Sequence, residues 1–434
     1  MEGNGFVGLA RKSGIGEEYL KKAASETGFI KRERKVSAMN ILHAICLASL
    51  SGFVSNNDAA TTMHAECGVS LSRQSIWKKM GIPGKAFFEK VLGALVNNKS
   101  SAGKKVALRG NFSRIIVQDS TVIKLPLHLF DWFSGVSNGL AKACNARIQA
   151  AYDLVSGEFI AISMDPYSKN DLKAAPELEL SPGDLVLRDR GYLTAAEIRR
   201  HTEKGAHCIY RHKHAFGLLD VSTGEPLDLL GLLRRQGHAD MEAGLKTADG
   251  MPVRLVAAPT GEEIANLRRK KAKEEKKSAP GKEYLAMLSW TIFLTTVDKE
   301  TASFDELLSL YGLRWRIEVI FKSWKSNMSF DKVHRVAQCQ AYILFYARMI
   351  YIALVFSMFN RCSSIVSEEY GKDLSILKFT RYVAGNPSLC AKLCEEMEAR
   401  PGREIEAVAR YCAYETRRRE SYSQIMNKLD VFYT

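Results

Sequence analysis

The sequence predicts an α/β chain: one core built on buried strands, interrupted by a β-rich insertion, with helical regions before and after it. Three observations predict this. The apolar pattern changes from helical to strand-like at Arg114. Two short apolar runs, 114–119 and 184–189, each end in an aspartate. The segments on either side, up to about 105 and beyond about 304, read as helix.

Residues 1–105 read as helical pieces separated by Gly and Asn. Helix-forming content covers 17–26 and 37–50, and Ser51-Gly52 closes the second piece. A helical stretch covers 57–67, then comes a turn at Gly68-Val69-Ser70 and a second helix over 72–80. Helix, short Gly turn, helix is the helix-turn-helix layout, whose second helix can enter a major groove. Many helical hairpins share that layout. What points to DNA here is the set Arg73, Gln74, Lys78 and Lys79 on the second helix.

The strands come next along the chain. Arg114-Ile-Ile-Val-Gln-Asp119 is a buried strand ending at an acid; 147–153 and 158–164 form a hairpin around Leu154-Val155-Ser156-Gly157. Asp184-Leu-Val-Leu-Arg-Asp189 is a second strand ending at an acid, then Arg190-Gly191-Tyr192 leads to a helix from about Thr194. Short strand-like runs at 207–213 and 251–258 occupy the next stretch, 290–295 is strand again, and 304–325 and most of the chain beyond it is helix. The expected domains are 1–105, helical and DNA-binding; 106–204, the first part of the core; 205–284, the insertion; 285–335, the second part of the core; and 336–434, a helical region.

A length of 434 residues allows roughly two to four domains at ~100–200 residues each. Hydrophobic residues at 46% and charged residues at 25% are ordinary globular values, which excludes a mostly disordered or collagen-like chain. The formal charge of +14, from 62 Lys+Arg against 48 Asp+Glu, favours a polyanionic partner. Residues 1–105 carry 16 of those cations and 8 of the acids, so the surplus is concentrated at the start. The run 268–277 holds seven positive and two negative charges, and a solvated face is its plain reading. Nine cysteines without paired spacing, and a start lacking an apolar signal core, suggest reduced thiols in a cytoplasmic protein. The apolar stretch 341–359 has the length of a membrane span, but Arg348 near its middle would be costly in lipid, so a buried core helix is expected and no membrane partner.

Chemistry enters with Tyr311-Gly-Leu-Arg314-Trp-Arg-Ile-Glu318-Val-Ile-Phe-Lys322-Ser-Trp-Lys325. On one continuous helix, Tyr311, Arg314, Glu318 and Lys325 would fall within an arc of roughly 60°, with Lys322 beside them. Salt-bridged surface helices also carry i,i+4 pairs such as Arg314/Glu318 and Glu318/Lys322. That leaves the phenol and the second lysine without a reason. Two-metal phosphoryl transfer accounts for all five, because it needs carboxylates from separate elements around ions ~3.5–4 Å apart and cations beside them for the phosphates.

The pattern Tyr-x2-Arg-x3-Glu-x6-Lys, met in full by Tyr311, Arg314, Glu318 and Lys325, resembles the signature of bacterial DDE-class insertion-sequence transposases of the insertion-sequence-four family. Asp119 in Gln-Asp-Ser-Thr matches the family's first acid, Asp189 in Asp-Arg-Gly-Tyr the second and Glu318 the third. The resemblance spans residues 105 to 415, and the gap from Asp189 to Glu318 suits members with a β-rich insertion between the second and third acids. It implies an RNase H-like catalytic core binding Mg²⁺ (or Mn²⁺), as two ions, through Asp119, Asp189 and Glu318. It implies cleavage at element ends and strand transfer into target DNA by cut and paste, often through a hairpin in such members. Tyr311, Arg314, Lys322 and Lys325 would grip DNA, and Trp290 stands where such members carry a Trp that can receive an unstacked base. The partners implied are double-stranded DNA, as terminal inverted repeats and target, and a second copy of the chain in a homodimer on DNA, in the bacterial cytoplasm.

Two rival functions fit the same residues: a domesticated DNA-binding regulator, and an RNase H-like nuclease that cuts without joining. All three acids are present, which shows no decay of the site, but one metal site serves both cutting and joining. His207, His212 and His214 have the spacing of a strand with alternating exposure rather than of a metal site, and Cys390 and Cys394 read as structural.

Overall fold

The computed structural model describes residues 5–32, 35–52, 54–97, 112–135, 142–275, 279–384, 386–415 and 424–425. In chain order the elements are α1 (Gly5–Lys12), α2 (Glu17–Glu26), α3 (Ala38–Ser49), α4 (Asn56–Cys67), α5 (Arg73–Lys79), α6 (Ile82–Asn97), β1 (Arg114–Lys124), β2 (Asn145–Asp153), β3 (Glu158–Pro166), α7 (Asp171–Ala174), β4 (Asp184–Arg188), α8 (Ala195–Glu203) and β5 (His207–Arg211). Then come β6 (Leu218–Leu219), α9 (Leu229–Gln236), β7 (Ala239–Leu245), β8 (Met251–Pro259), α10 (Glu262–Glu275), α11 (Lys282–Met287), β9 (Trp290–Thr295), α12 (Phe304–Gly312), α13 (Trp315–Asn327), α14 (Gln338–Tyr370), α15 (Ile376–Ala384), α16 (Pro387–Glu396) and α17 (Arg403–Tyr411). The chain is mixed α/β, and it divides into two compact units that exchange the chain within β1 and at the start of α13.

The first unit comprises Met1–Val106, Ser120–Glu177 and Arg316–Ser423. Its strands follow the order β3-β2-β1, and β2 and β3 form the expected antiparallel hairpin, Ala146 opposite Pro166 through Asp153 opposite Glu158. The long α14 packs on α3, α6 and α17, and its most apolar stretch is 83% buried. Arg348 within it is 1% exposed and donates to the carbonyls of Ser49 (2.9 Å), Phe330 (3.3 Å) and Gly52 (3.3 Å). Those carbonyls explain how a cation sits in an apolar helix: a buried charge needs hydrogen-bond acceptors around it. A second centre forms where Trp324 of α13, fully buried, meets the rings of Phe159, Phe321 and Phe330.

The second unit comprises Ala107–Asp119, Leu178–Trp315 and Gln424–Thr434. Its strand order is β1-β4-β5-β9-β8-β7-β6. β1, β4 and β5 run parallel, while β9, β8, β7 and β6 are antiparallel to their neighbours. Arg114 fixes the entry of β1 against β4 by donating to the fully buried Asp184 carboxylate at 2.8 Å.

Two elements differ from the sequence expectation. The first strand runs five residues past Asp119, to Lys124, because Ser-Thr-Val-Ile continues the β-branched character that suits a pleated surface. The single helix expected over 304–325 is two helices, with a break at Leu313-Arg314. Gly312 weakens the last turn, and that turn tightens to three-residue bonds, Leu313 N–H to Leu310 and Arg314 N–H to Tyr311. Tyr311 therefore stands on α12 and Arg314 in the junction, so the one-face arc of a continuous helix does not apply.

Candidate active site

The register of the parallel strands sets the site. Gln118 of β1 is paired with Arg188 of β4, so Asp119 and Asp189, each one residue further on, stand side by side. Neighbouring strands lie ~4.8 Å apart; Asp189 follows the carboxyl end of β4, and Asp119 lies within β1 at the point where its pairing with β4 ends. The same counting carries across to β5. Leu187 is paired with Ile209, which sets Arg211 level with Asp189. Registered neighbours point to the same face of a sheet, so Asp119, Asp189 and Arg211 form a row across three strands.

Each aspartate is held differently. Asp119, whose side chain is 20% exposed, accepts from Arg314 Nη1 at 3.3 Å. Asp189 is the cap of a short 3₁₀ turn, Arg190–Tyr192, and accepts from the Gly191 N–H at 3.4 Å. Beneath them Arg188 is fully buried, donates to Glu197 of α8 and lies over the Tyr192 ring, which anchors the strand end to the helix beyond it.

Around the two acids the unit gathers positive charge. Arg314 lies 5.7 Å from the centre of the Tyr311 ring and 5.8 Å from that of Trp315. Tyr311 packs on Phe293 of β9 at 5.0 Å, and burial pushes its phenol up to about 12, with Asp189 adding to the rise and Arg314 and Arg211 opposing it. Burial lowers the Arg211 guanidinium from its usual range; Tyr311 and Asp189 oppose that shift, while Arg190 and Arg314 add to it. Three guanidinium groups and a neutral phenol around two carboxylates leave a net positive site, suited to a phosphodiester backbone. Arg211 is not among the residues that the sequence motifs single out. Its signal is nevertheless present: it lies inside the strand-like run 207–213, at the end of the strand after the two that end in acids.

Trp290 opens β9, opposite Pro259, and is half-buried rather than part of the core. Its carbonyl accepts from Arg268 Nη1 at 3.1 Å, and the same guanidinium reaches Leu288 O (3.4 Å), Thr260 Oγ1 (3.0 Å) and Thr291 Oγ1 (3.3 Å). Arg269 beside it donates to Ser289 and Leu285. The basic run thus has two parts: Arg268 and Arg269 staple α10 to the segment leading into β9, while Lys270, Lys271 and Lys273 are exposed. Lys276 and Lys277 lie outside the described residues.

The remaining site candidates belong to the first unit. Glu318 is half-buried on α13 and Lys322 is exposed. Lys325 donates to the Val122 carbonyl at 2.9 Å, and burial lowers its ammonium from the usual range. Ser120, next to Asp119, donates to Asp171 at the start of α7, which also pairs with the buried Arg147. On α5, Arg73, Gln74 and Lys78 are exposed, whereas Lys79 is half-buried, donating to the Phe29 carbonyl at 2.6 Å and lying over the Phe29 ring.

Among the described residues no group of three or more His, Cys, Asp and Glu stands at metal-binding spacing. The Asp119/Asp189 pair supplies carboxylate oxygens, the donor type that Mg²⁺ prefers. His212 hydrogen-bonds the Phe216 carbonyl and His214 packs on Tyr284, in keeping with a structural role. All nine cysteines are free thiols, and Cys390 and Cys394 are buried.

Comparison with known proteins bears on what this arrangement does. The transposase for insertion sequence element IS231C of Bacillus thuringiensis subsp. berliner is 27% identical over 404 residues, covering 85% of this chain and 83% of that protein. The transposase for insertion sequence element IS1151 of Clostridium perfringens is 24% identical over 406 residues, covering 86% and 84%. A solved synaptic complex of the piggyBac transposase with hairpin DNA aligns at a TM-score of 0.45 and 9% identity, over 97% of this chain and 87% of that one, a likeness too slight to bear on mechanism. The transposase DDE domain family matches residues 110–354, more than half of the chain and all three strand- and helix-borne acids. The chain belongs to the DDE transposase family.

Proposed function

We propose that this transposase cuts double-stranded DNA at the terminal inverted repeats of its element and joins the freed ends to target DNA, with Asp119, Asp189 and Glu318 as its catalytic acids on an RNase H-like core. The observation that carries this reading is the level pair Asp119 and Asp189 on adjacent parallel strands, just past the last β1/β4 pair, set among Arg314, Arg211 and Tyr311. Glu318 joins them by its place in the Tyr-x2-Arg-x3-Glu-x6-Lys pattern.

Divalent metal, Mg²⁺ or Mn²⁺ as two ions, supplies Lewis acidity and charge neutralisation at the phosphodiester when bound. The carboxylates would hold it. Arg314 and Arg211 bind and orient the phosphate; Tyr311, neutral at working pH, donates a hydrogen bond to it. Lys322 and Lys325 extend the grip along the backbone. Trp290 would receive a base displaced from the stack if excision passes through a hairpin. Residues 1–105 recognise the element ends, with Arg73, Gln74 and Lys78 facing the DNA and Lys79 fixing the helix that carries them. The remaining boundaries keep to the same scheme, with 106–204 and 285–335 as the core, 205–284 as the insertion and 336–434 as a helical region. Two copies of the chain would hold two ends, in the bacterial cytoplasm.

The test is a strand-transfer reaction: purified full-length chain, Mg²⁺, a duplex carrying the element's inverted repeat, and a supercoiled plasmid. The expected result is cleavage at the repeat end and then joined products. Cleavage without joining would favour a nuclease, and end binding without either would favour a regulator.

A further inference from the structure

The most exposed tryptophan among the described residues is Trp77, at 62%, on a seven-residue helix that carries no acid. At 100° per residue, Arg73, Trp77, Gln74 and Lys78 succeed one another around an arc of about 140°, and all four are exposed. The inward side is buried through Ile76. The rotation of this helix is fixed from three directions. Ser72 caps it by accepting from the Ser75 N–H at 3.2 Å. Gly68, at φ +64°, makes the turn from α4, and His64 and Ser70 bridge that turn at 3.1 Å. Lys79 is tied to the Phe29 carbonyl on the inward side. An indole held out on a rigid face between an arginine and a lysine exposes a large apolar surface to water, so it calls for a partner that is anionic at its edges and apolar within.

We propose that Trp77 is a specificity-determining residue for the element ends, making apolar contact with a thymine C5-methyl group in the major groove while Arg73 and Lys78 hold the flanking phosphates. This rests on the reading of α4 and α5 as a DNA-binding pair. Duplex DNA is the occupant the face favours because Arg73 and Lys78 bound it on its two sides and the helix carries no acid. Among base-edge groups, the thymine methyl is the one an aromatic ring reads, whereas guanidinium and amide groups read hydrogen-bonding edges.

The experiment compares full-length wild type with Trp77→Ala and Trp77→Phe on three duplexes: the natural end, the same end with thymine replaced by uracil, and a scrambled sequence. Wild type should lose about fourfold in affinity per methyl contacted when uracil replaces thymine. Trp77→Ala should bind the natural end about tenfold more weakly and be indifferent to the replacement, with its salt slope unchanged; Trp77→Phe should recover part of the discrimination. Arg73→Ala and Lys78→Ala should each reduce the salt slope by about 0.9 while leaving the uracil effect in place. If Arg73→Ala with Lys78→Ala leaves end binding intact, α5 does not bind DNA and the underlying reading fails. If those changes weaken binding but Trp77→Ala still distinguishes thymine from uracil, the Trp77 assignment alone is overturned. A Trp77→Ala chain that changes oligomeric state with unaltered DNA preference would likewise overturn it. A melting curve on each variant confirms that the folded chain is being compared.

Discussion

Arg314 donates to the carboxylate of Asp119 across 195 residues of chain, at 3.3 Å, and its guanidinium also lies near the rings of Tyr311 and Trp315. The arginine therefore occupies one oxygen of an acid that we propose to hold metal, while being itself proposed to grip phosphate. A metal ion held by that carboxylate would compete with the guanidinium for it, and a bound phosphate would draw the arginine the other way.

Arg314→Ala should separate these two jobs. Removing the guanidinium takes a competitor away from the Asp119 carboxylate, so the Mg²⁺ concentration for half-maximal cleavage should fall. The maximal rate should fall by about 10- to 100-fold, from loss of a charged hydrogen bond worth ~1.5–3 kcal/mol. Arg314→Lys should restore little of the rate, because an ammonium lacks the planar fork. A Mg²⁺ titration of end cleavage reads both quantities, and an unchanged maximal rate would remove Arg314 from the phosphate grip.

Tyr311 gives a pH prediction. Its phenol is pushed up to about 12, chiefly by burial, so it stays protonated and donating through the working range. Wild type and Tyr311→Phe should then show cleavage profiles of the same shape between pH 7 and 10, with the mutant lower throughout. A limb near pH 10 that vanishes in Tyr311→Phe would mean that the phenol titrates in the reaction.

Stability should fall with acid through two buried histidines. Burial lowers both His43 and His201 to about 4, and the Arg188 charge adds to the shift at His201. In the unfolded chain a histidine protonates near 6.5. The unfolded state then binds more protons below that value, so stability is full above pH 6.5 and is lost as pH falls toward 4. Each group contributes on the order of 3 kcal/mol over that window. Denaturant midpoints at pH 7 and pH 5 measure the loss, and His201→Leu should reduce the difference between them. An equal difference in the mutant would show that His201 is not a source.

Trp290 and Arg268 should act together. If the indole receives a flipped base, Trp290→Ala should spare the first nick and slow hairpin closure by up to ~100-fold, from stacking worth ~1–3 kcal/mol. Arg268→Gln, which loosens the carbonyl of Trp290, should slow the same step by less. A gel-resolved time course on end DNA with parallel melting curves checks this. Nicking and hairpin falling together, with a lower melting temperature, would make both residues purely structural.

Much of the fold and of the candidate site is legible in the sequence because local chemistry and global structure agree there. The apolar runs that lead to Asp119 and Asp189 are short and can be read directly as strands, although β1 continues past Asp119 to Lys124. Arg348 can be read too, since a charge inside an apolar stretch needs buried acceptors. The break at Leu313-Arg314 is hidden, because one glycine in a helical pattern costs little and tertiary packing decides whether the helix continues. Arg211 is hidden for another reason: its place beside Asp189 is set by interstrand register, which no single run contains. The inward turn of Lys79, Arg268 and Arg269 has the same origin, as charge runs look solvated until the carbonyls that accept from them are positioned.

The shared metal site is tested most directly by metal-dependent cleavage with Asp119→Asn, Asp189→Asn and Glu318→Gln, each assayed beside its own end-DNA binding curve. Each substitution keeps the shape of the side chain and removes the charge that would hold Mg²⁺. All three should lose cleavage in Mg²⁺ and in Mn²⁺ while specific binding survives, because the phosphate grips and the N-terminal helices are untouched. Cleavage retained by any one of the three, at the wild-type rate and with a normal melting curve, would contradict the assignment of that acid and the shared metal site with it.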